Sequence, residues 1–314
     1  MRRSEILRRP VRDIEVGRGT IASLIDQMEM GGGFTAKKVA VGVDILRTMF
    51  RGKDCVTFLS FPAALVATGV RGVLRTLVQR KLVDVVITTC GTADHDLARV
   101  WRDYYHGDFD MDDVQLHRLG VNRLGNVLVP NESYGIVLEK KLRPWLRDMV
   151  QKKVAWSTKE LLWEFGRRTQ DTSSILYWCH ANKIPIVVPA ITDGAVGYQL
   201  WSFWQDHKDF RIDEFRDEAE LSDIVFTAKR TGALILGGGV SKHHTIWWNQ
   251  FRGGLDYGVY ITTAVEHDGS LSGARLREGI SWGKVKETAR QVTVEGDASI
   301  LLPIMIGAAL ERRR

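Results

Sequence analysis

The run from Val83 to Thr89, VDVVITT, constrains the fold of this chain more than any other feature. It is almost wholly apolar and rich in β-branched residues, and its polar and apolar positions do not alternate. Such a run is typical of a parallel strand that is covered on both faces. Strand, turn and helix patterns recur along the chain at intervals of roughly 25 to 50 residues. We therefore predict a single α/β domain, residues 1–314, in which helices flank a mostly parallel sheet.

The same periodicities predict the individual elements. Strands are predicted at 56–60, 83–89, 123–130 (with a turn), 184–188, 233–236 and 257–263. Helices are predicted at 19–30, 34–50, 63–80, from 94 onward, and at 132–152, 157–169, 172–182, 215–227 and 300–310. Residues 101–113 are expected to form an irregular excursion, and the polar residues 1–17 a peripheral N-terminal segment.

The charge of the chain is concentrated at its ends. The 314 residues are 44% hydrophobic, enough for a sizeable core, and their formal net charge is +6. Without the arginines at the two ends the remainder would be nearly neutral, and a basic tail is more often solvated than bound to nucleic acid. We therefore expect no nucleic-acid partner. These arginines are Arg2, Arg3, Arg8, Arg9, Arg312, Arg313 and Arg314.

The cysteines and the apolar runs indicate the compartment. Cys55, Cys90 and Cys179 are odd in number and form no CxxC pair. This usage argues for a reducing, cytoplasmic environment and against a disulfide framework or a thiolate zinc site. The charged N-terminus does not have the pattern of a signal peptide. The longest apolar run, 300–310, is far shorter than the ~20 residues of a membrane span, so no membrane partner is predicted. Because the cysteines lack a zinc-binding pattern, no metal is predicted either.

Most residues that suggest chemistry lie in the stretch 233–298. The triplet Gly237 to Gly239 follows an apolar strand and precedes a helix. The backbone could approach a ligand closely there, although a tight turn is the alternative. No GxGxxG fingerprint stands between a strand and a helix, so motif alone does not support a standard two-half dinucleotide fold.

Two further turns follow the carboxyl ends of predicted strands. In open α/β sheets, ligands bind at these ends. Thr89, Cys90 and Gly91 could bind phosphate through free backbone N–H groups, or could form a plain strand-to-helix turn. Asp193 follows strand 184–188 and is either a ligand-binding residue or the N-cap of the next helix.

A histidine pair and a lysine are the candidates for catalysis. His243 and His244 would point about 100° apart on a helix, so they would not share a metal ion. One of them could be a general base, with a structural histidine as the alternative. Lys284 could act as a nucleophile if it loses its proton, or could be a solvated surface lysine. Trp282 could hold a cationic substrate beside it by the face of its ring, and Glu278, Asp268 and Glu266 could supply negative charge for it.

Seven ordered segments of the chain resemble the deoxyhypusine synthase family, and the resemblance extends from about residue 55 to the C-terminus. The variants HHTIWWNQF and DGSLSGA are similar to the archaeal branch. The resemblance implies a Rossmann-like, NAD-binding fold. The seven segments are ITTCGTADHDLAR, NRLGNVLVPNESYG, VPAITDGAVG, GGGVSKHH, VYITTAVEHDGSLSGA, SWGK and EGDAS.

The resemblance also implies a reaction. Members of this family oxidise a C–N bond of spermidine to an imine, with hydride passing to NAD and 1,3-diaminopropane leaving. The 4-aminobutyl group then forms an imine with an enzyme lysine. It passes to one lysine of the translation initiation factor 5A precursor, and reduction gives deoxyhypusine. The family also implies a homotetramer, a dimer of dimers with sites at the interface of tight dimers.

The resemblance assigns roles residue by residue. Lys284 matches the imine-forming lysine and His243 the general base. Glu278 and Trp282 match residues that hold the polyamine, and a cation–π contact from Trp247 or Trp248 could take the place of a carboxylate. The residues expected to line the NAD site are Thr89, Cys90, Gly91, Asp193, Gly238, Gly239, Thr263, Ala264, Asp268, Ser272, Asp297 and Ala298.

The chain departs from the eukaryotic pattern at several of these places. Eukaryotic members have aspartates that hold spermidine where this chain has Tyr198 and Leu271, and asparagine where it has Trp247. Near the cofactor, Ala64 and Ala67 replace an asparagine and a serine. The sequence therefore leaves the amine donor and some NAD contacts undetermined.

Three other functions remain open from the sequence. A homospermidine synthase-like enzyme would transfer the aminobutyl group to a small diamine. A non-catalytic NAD-binding partner subunit would support an active paralogue, although retention of Lys284 and His243 argues against this. An RNA-associated protein would depend on its arginine-rich ends.

Overall fold

The chain is built on a six-stranded sheet in a computed structural model that describes residues 9–17 and 19–311. The sheet order is β11-β10-β9-β1-β2-β7, and every neighbouring pair is parallel. Small sheets of three and two strands (β3-β5-β4 and β6-β8) lie outside it. The strands are β1 (Cys55–Ser60), β2 (Val85–Ile87), β3 (Tyr105–His106), β4 (Val121–Leu124), β5 (Val127–Pro130), β6 (Ala155–Trp156), β7 (Ile186–Val187), β8 (Arg211–Ile212), β9 (Arg230–Leu236), β10 (Leu255–Thr262) and β11 (Val285–Glu295).

Helices connect the strands and cover both faces of the sheet. They are α1 (Ile21–Gly31), α2 (Phe34–Arg51), α3 (Arg71–Gln79), α4 (Cys90–Trp101), α5 (Asp113–Arg118), α6 (Gly135–Lys152), α7 (Thr158–Thr169), α8 (Ile175–Asn182), α9 (Ala195–Asp206), α10 (Phe215–Thr227), α11 (Gly239–Gln250) and α12 (Ala298–Leu310). Short 3₁₀ helices lie at Ala63–Ala67, Asn131–Ser133, Glu266–Asp268 and Leu276–Ile280.

The order of the strands reverses at the centre of the sheet. From β1 the chain proceeds outward through β2 to β7, and it then returns to the other side of β1 to form β9, β10 and β11. The loops that leave β1 and β9 therefore run in opposite directions. In open α/β sheets such a switch point opens a crevice outside the carboxyl ends of the strands, where ligands bind.

The apolar strands are explained by burial on two sides. Successive residues of β9 alternate between two hydrophobic clusters: Leu234 packs into a cluster with residues of α2 and α12, and Ile235 into one with residues of α10 and α11. A strand with both faces covered gains from apolar side chains at every position. The predicted α/β fold with a mostly parallel sheet flanked by helices is confirmed.

Strand β11 is absent from the sequence prediction. It pairs with β10 at one edge of the sheet, and the first part of its sequence, VKETARQ, is mostly polar. Only Val285 and Val292 to Val294 are buried in it. The apolar signal is therefore too short to predict the whole strand.

Other predicted elements have different bounds. The predicted helix 63–80 is wrong as one element, because Thr68 adopts an extended backbone and separates the 3₁₀ helix from α3. Helix α4 begins at Cys90, earlier than the predicted start at 94, because its N-cap is the extended residue Thr89. The predicted strand 123–130 is a hairpin of β4 and β5.

The N-terminal segment lies against α1 where it is described. The backbone N–H of Arg12 donates to the Met30 carbonyl at 3.2 Å, and that of Glu15 to the Gln27 side chain at 2.7 Å. Residues 1–8 and 18 lie outside the described residues, so a peripheral segment 1–17 stays a prediction. Of the end arginines, Arg9 pairs with Glu29 at 3.3 Å, and the other six lie outside the described part.

Within residues 9–17 and 19–311, no helix combines the length and the apolar character that crossing a membrane requires. The same part of the chain contains no group of three or more His, Cys, Asp or Glu side chains placed to hold a metal ion.

Candidate active site

Lys284 opens into a cavity of about 360 Å³ between α11 and the segment that precedes β11. The cavity is apolar over much of its wall and carries charged groups at a few points. Its lining residues are Lys242, His243, Ile246, Trp247, Leu271, Ala274, Arg275, Leu276, Glu278, Gly279, Trp282 and Lys284. We call it the lysine cavity.

Lys284 is held at the entry to β11. Its backbone N–H donates to the Gly279 carbonyl at 2.8 Å, and its carbonyl accepts from the Leu255 N–H at 3.1 Å. The residue is only 9% exposed. Its Nζ lies 5.2 Å from the ring centroid of Trp282 and 5.7 Å from that of Trp247, so two indoles flank the amine.

The two adjacent histidines diverge on α11, as their helical spacing predicts. His243 lines the lysine cavity and stacks on Trp247, with ring centroids 5.6 Å apart. Burial, followed by the charges of Lys284 and His244, lowers the pKa of His243 below its usual 6.5. The Nε2 of His244 instead lies 3.0 Å from a carboxylate oxygen of Glu218. His243 is therefore the histidine available to a ligand as a neutral base.

One carboxylate faces this cavity from the described residues, that of Glu278 on the last 3₁₀ helix. Leu271, which stands in place of a eukaryotic aspartate, also lines the cavity. Tyr198, at the position of the other aspartate, lies exposed on α9 and is not among the lining residues. Within one chain, the cavity therefore offers a cation one carboxylate and two indoles.

A second cavity of about 220 Å³ lies at the switch point of the sheet. It is formed by the loops that leave β1, β9, β10 and β11. Five predicted cofactor residues line it: Thr263, Ala264, Ser272, Asp297 and Ala298. The other lining residues are Pro62, Leu65, Gly237, Ile261, Thr262 and Gly296. We call it the glycine-rich cavity.

Glycines are required at two positions of the turn from β9 into α11, which borders this cavity. Gly237 has a φ of +62°, in the left-handed region that favours glycine. At Gly238 an added Cβ would lie 2.1 Å from the Ser272 hydroxyl oxygen and 2.5 Å from the Ser272 Cα. Gly239 then begins α11, so the first N–H groups of that helix point towards the same crevice.

The remaining predicted cofactor residues do not line the described cavities. Asp268 accepts from the Ser270 N–H at 2.7 Å and shapes the turn before Ser272. Thr89 accepts from the Ala63 N–H at 3.2 Å, which ties the end of β2 to the loop after β1. Cys90 and Gly91 begin α4, and burial raises the pKa of the Cys90 thiol.

Asp193 follows β7 and is exposed. The N-cap of α9 is Gly194, so Asp193 is not the N-cap that the sequence left as an alternative. The carboxylate of Asp94 accepts from the Ala195 and Val196 N–H groups instead, at 2.8 and 2.7 Å. Asp193 thus lies at the same carboxyl edge of the sheet as the glycine-rich cavity, two strands away from β1.

The sequence prediction missed Lys242. Its side chain is 1% exposed, yet it belongs to the lining of the lysine cavity. A sequence signal existed, because Lys242 shares the buried face of α11 with Thr245, Ile246 and Asn249 at helical spacing. A lysine on the buried stripe of a helix is unusual, and its ammonium needs hydrogen-bond acceptors or a negative charge nearby.

The fold and the two cavities define a class: an α/β protein with a glycine-rich crevice at the switch point of a parallel sheet and, beside it, a buried lysine between two indoles. The deoxyhypusine synthase family model matches residues 23–309. A probable deoxyhypusine synthase of Picrophilus torridus is 54% identical over 312 residues, covering 99% of this chain and 100% of that protein.

Further relatives agree with this match. A probable deoxyhypusine synthase of Thermoplasma acidophilum is 53% identical over 311 residues, 99% of this chain and 100% of its own. A crystal structure of a candidate deoxyhypusine synthase from Entamoeba histolytica has the same fold, with a TM-score of 0.69, 21% identity, and coverage of 97% of this chain and 98% of that one. This chain belongs to the deoxyhypusine synthase family and is an enzyme of the transferase class.

Proposed function

We propose that this enzyme transfers the 4-aminobutyl group of spermidine to a specific lysine of the translation initiation factor 5A precursor, forming deoxyhypusine with the help of NAD. One observation carries the proposal: the buried amine of Lys284 lies between two indoles, beside a neutral histidine and next to the glycine-rich cavity. We also propose that residues 1–314 act as one domain in the cytoplasm.

Lys284 is the proposed nucleophile. A lysine amine attacks a carbon–nitrogen double bond only when it has lost its proton. Lys284 is only 9% exposed, and two indole rings flank its amine, so Nζ lies where a bound amine substrate can reach it in the lysine cavity. In the proposed reaction Nζ adds to the imine carbon of the dehydrogenated spermidine and 1,3-diaminopropane leaves. The acceptor lysine later displaces Nζ, and the hydride removed in the first step reduces the new imine to deoxyhypusine.

His243 is the proposed general base. Its lowered pKa keeps the imidazole neutral at physiological pH, so one ring nitrogen can accept a proton from the substrate amine. The stacking partner Trp247 fixes the plane of the ring. A positioned acid–base group of this kind accelerates a reaction by roughly 100- to 10,000-fold.

Recognition of the amine is assigned to Glu278, Trp247 and Trp282. The carboxylate of Glu278 would pair with one ammonium, and the faces of the indoles would attract another. Cation–π attraction is worth about 0.5–2 kcal/mol, depending on exposure to water, so Trp247 would offset part of the loss of an aspartate.

The glycine-rich cavity is the proposed centre of the dinucleotide site. Because Gly238 has no side chain, Ser272 packs directly against the turn into α11, and the N–H groups at the start of that helix could bind a pyrophosphate. Thr263, Ala264, Ser272, Asp297 and Ala298 would hold the cofactor, with Gly239 and Asp268 shaping the turns. When bound, NAD would supply the hydride chemistry. We assign Thr89, Cys90, Gly91 and Asp193 to the continuation of the same site.

A chemical trap tests the proposal. The protein is incubated with NAD and labelled spermidine, treated with borohydride and digested, and the peptides are read by mass spectrometry. We expect an aminobutyl adduct on Lys284. Lys284→Ala should bind NAD but form no adduct, whereas Lys286→Ala, a matched change at a lysine paired with Asp256 at 2.6 Å, should keep the adduct. Absence of the adduct from wild-type protein that binds NAD would refute spermidine as the donor.

A competition then identifies the acceptor. The trapped half-reaction is the same whether the group passes to a protein lysine or to a small diamine. We expect the precursor protein to take the aminobutyl group in the presence of equimolar putrescine. Preferential formation of homospermidine would establish the sister activity instead.

A further inference from the structure

Lys242 is a buried cation without a carboxylate partner among the ion pairs of the described residues. Its Nζ donates to the carbonyl oxygens of Leu271 at 2.7 Å and Ala274 at 2.6 Å. It also lies 3.9 Å from the ring centroid of Tyr260. Burial of an ammonium is costly unless it is paired and hydrogen-bonded, so the carbonyls and the ring must compensate for the lost water.

The segment 271–274, which Lys242 holds, lies between the two cavities. Leu271 lines the lysine cavity, and Ser272 lines the glycine-rich cavity. The Ser272 carbonyl accepts from the Tyr260 hydroxyl at 2.5 Å and from the Thr262 hydroxyl at 3.1 Å. We call this segment the partition. Three side chains therefore fix its carbonyls from the sheet and from α11.

The geometry of Lys242 suits an anchor and not a nucleophile. Two of its three donors are used by carbonyl oxygens, and the ring of Tyr260 covers it. Burial lowers its pKa to about 8, while Glu278 opposes this shift and Arg275 adds to it. At neutral pH the group is still mainly an ammonium, the form that donates most strongly to carbonyl oxygens.

We propose that Lys242 is a positioning residue, whose ammonium fixes the partition and thereby the relative placement of groups bound in the two cavities. The inference rests on the proposed function. Reaction between two bound groups needs their atoms about 3–3.5 Å apart, and a misplacement of about 1 Å can cost roughly 100-fold in rate. A mobile partition would disturb both cavities at once, since Leu271 and Ser272 are neighbours.

Amide hydrogen exchange tests the anchoring directly and needs no turnover. The Gly273 and Ala274 N–H groups both donate to the Ser270 carbonyl at 3.1 Å, so their exchange reports the order of the partition. In Lys242→Met we expect them to exchange at least about tenfold faster, with α7 and α8 unchanged. Lys286→Met, which removes a lysine elsewhere on the sheet, should leave the partition as in wild type. Unchanged exchange in folded Lys242→Met would overturn the proposal.

Two further variants complete the test. If Lys242→Met does not fold, Lys242→Gln takes its place. Glutamine keeps an N–H donor but has no charge, so we expect the same faster exchange of Gly273 and Ala274, and unchanged exchange would again overturn the proposal. Lys242→Arg keeps a cation with N–H donors, and we expect it to restore part of the protection of Gly273 and Ala274. Protection in Lys242→Arg that is no better than in Lys242→Met would contradict an anchor based on charge.

An activity measurement links the anchor to the reaction. We expect Lys242→Met to lower kcat for NADH formation from spermidine by roughly 10- to 100-fold, with a smaller change in KM for the amine. Wild-type kinetics in a variant with a loosened partition would refute the catalytic consequence. If wild-type protein oxidises no amine, the proposed function fails, and the exchange experiment still decides whether Lys242 holds the partition.

Discussion

At the scale of a single residue, the protonation state of His243 decides whether the site contains a base. Burial first, and then Lys284 and His244, lowers its pKa below 6.5. A base with a lowered pKa stays neutral to more acidic pH, so we predict that kcat/KM for the amine falls on the acid side only below pH 6.5. A pH profile of NADH formation checks this. His243→Ala should cost roughly 100- to 10,000-fold, and an acid limb centred above 6.5 would contradict the assignment.

The residues also show what a sequence can reveal about a site. Lys284, His243 and Glu278 were predicted, and they line one cavity. Lys242 was overlooked although it stands on the buried stripe of α11, because the two backbone carbonyls that its ammonium binds lie about thirty residues away and leave no trace in residue types. Tyr198 occupies a position where the resemblance implies a spermidine contact, but it lies on the surface of α9, outside that cavity.

At the scale of elements, the turn from β9 into α11 depends on the absence of a side chain at Gly238. A Cβ there would collide with the Ser272 backbone. We predict that Gly238→Ala weakens NAD binding at least tenfold and destabilises the fold by roughly 1–3 kcal/mol, as overpacking does. Calorimetric titration measures NAD binding, and thermal unfolding measures stability.

Gly72→Ala in α3, where a Cβ would meet nothing within 4 Å, is the matched control and should leave NAD binding unchanged. Equal effects of the two changes would refute a specific role for Gly238.

Elements differ in how far their sequences predict them. β9 and β10 are buried on both faces, so their apolar runs predict them well. β11 begins at the residue that follows Lys284. Because it lies at an exposed edge of the sheet, it accepts polar side chains, and its sequence therefore lacks the apolar run that would predict a strand. The break between the 3₁₀ helix Ala63–Ala67 and α3 depends on the backbone of one residue, Thr68, which apolar periodicity does not report.

At the scale of the whole molecule, the sheet explains why distant motifs form one site. The predicted cofactor residues follow five of the six strands, and Ala64 and Ala67 follow the remaining one, β1. Parallel pairing places all six carboxyl ends at one edge. The spacing of these motifs along the chain, which looks irregular, is thus set by the helices that return the chain to the other edge.

The surface of one chain suggests that the molecule is incomplete alone. Tyr198 and Trp201 are 58% and 53% exposed, and their ring centroids lie 5.6 Å apart on α9. Exposed aromatic groups of this kind mark interfaces. Because the described residues give the lysine cavity one carboxylate and the proposed substrate carries several positive charges, we expect a second copy to complete the cavity, within the homotetramer that the family resemblance implies.

This expectation can be measured by light scattering after size exclusion. Wild-type protein should have a mass four times that of the chain. We predict that Trp201→Glu shifts it to smaller species and lowers activity at least tenfold, because a buried interface does not accept an unpaired carboxylate. Gln115→Glu, which adds the same charge at an exposed position of α5 instead of α9, should change neither mass nor activity. A wild-type monomer with full activity at assay concentration would show that one chain suffices and that the single carboxylate of Glu278 meets the needs of the substrate.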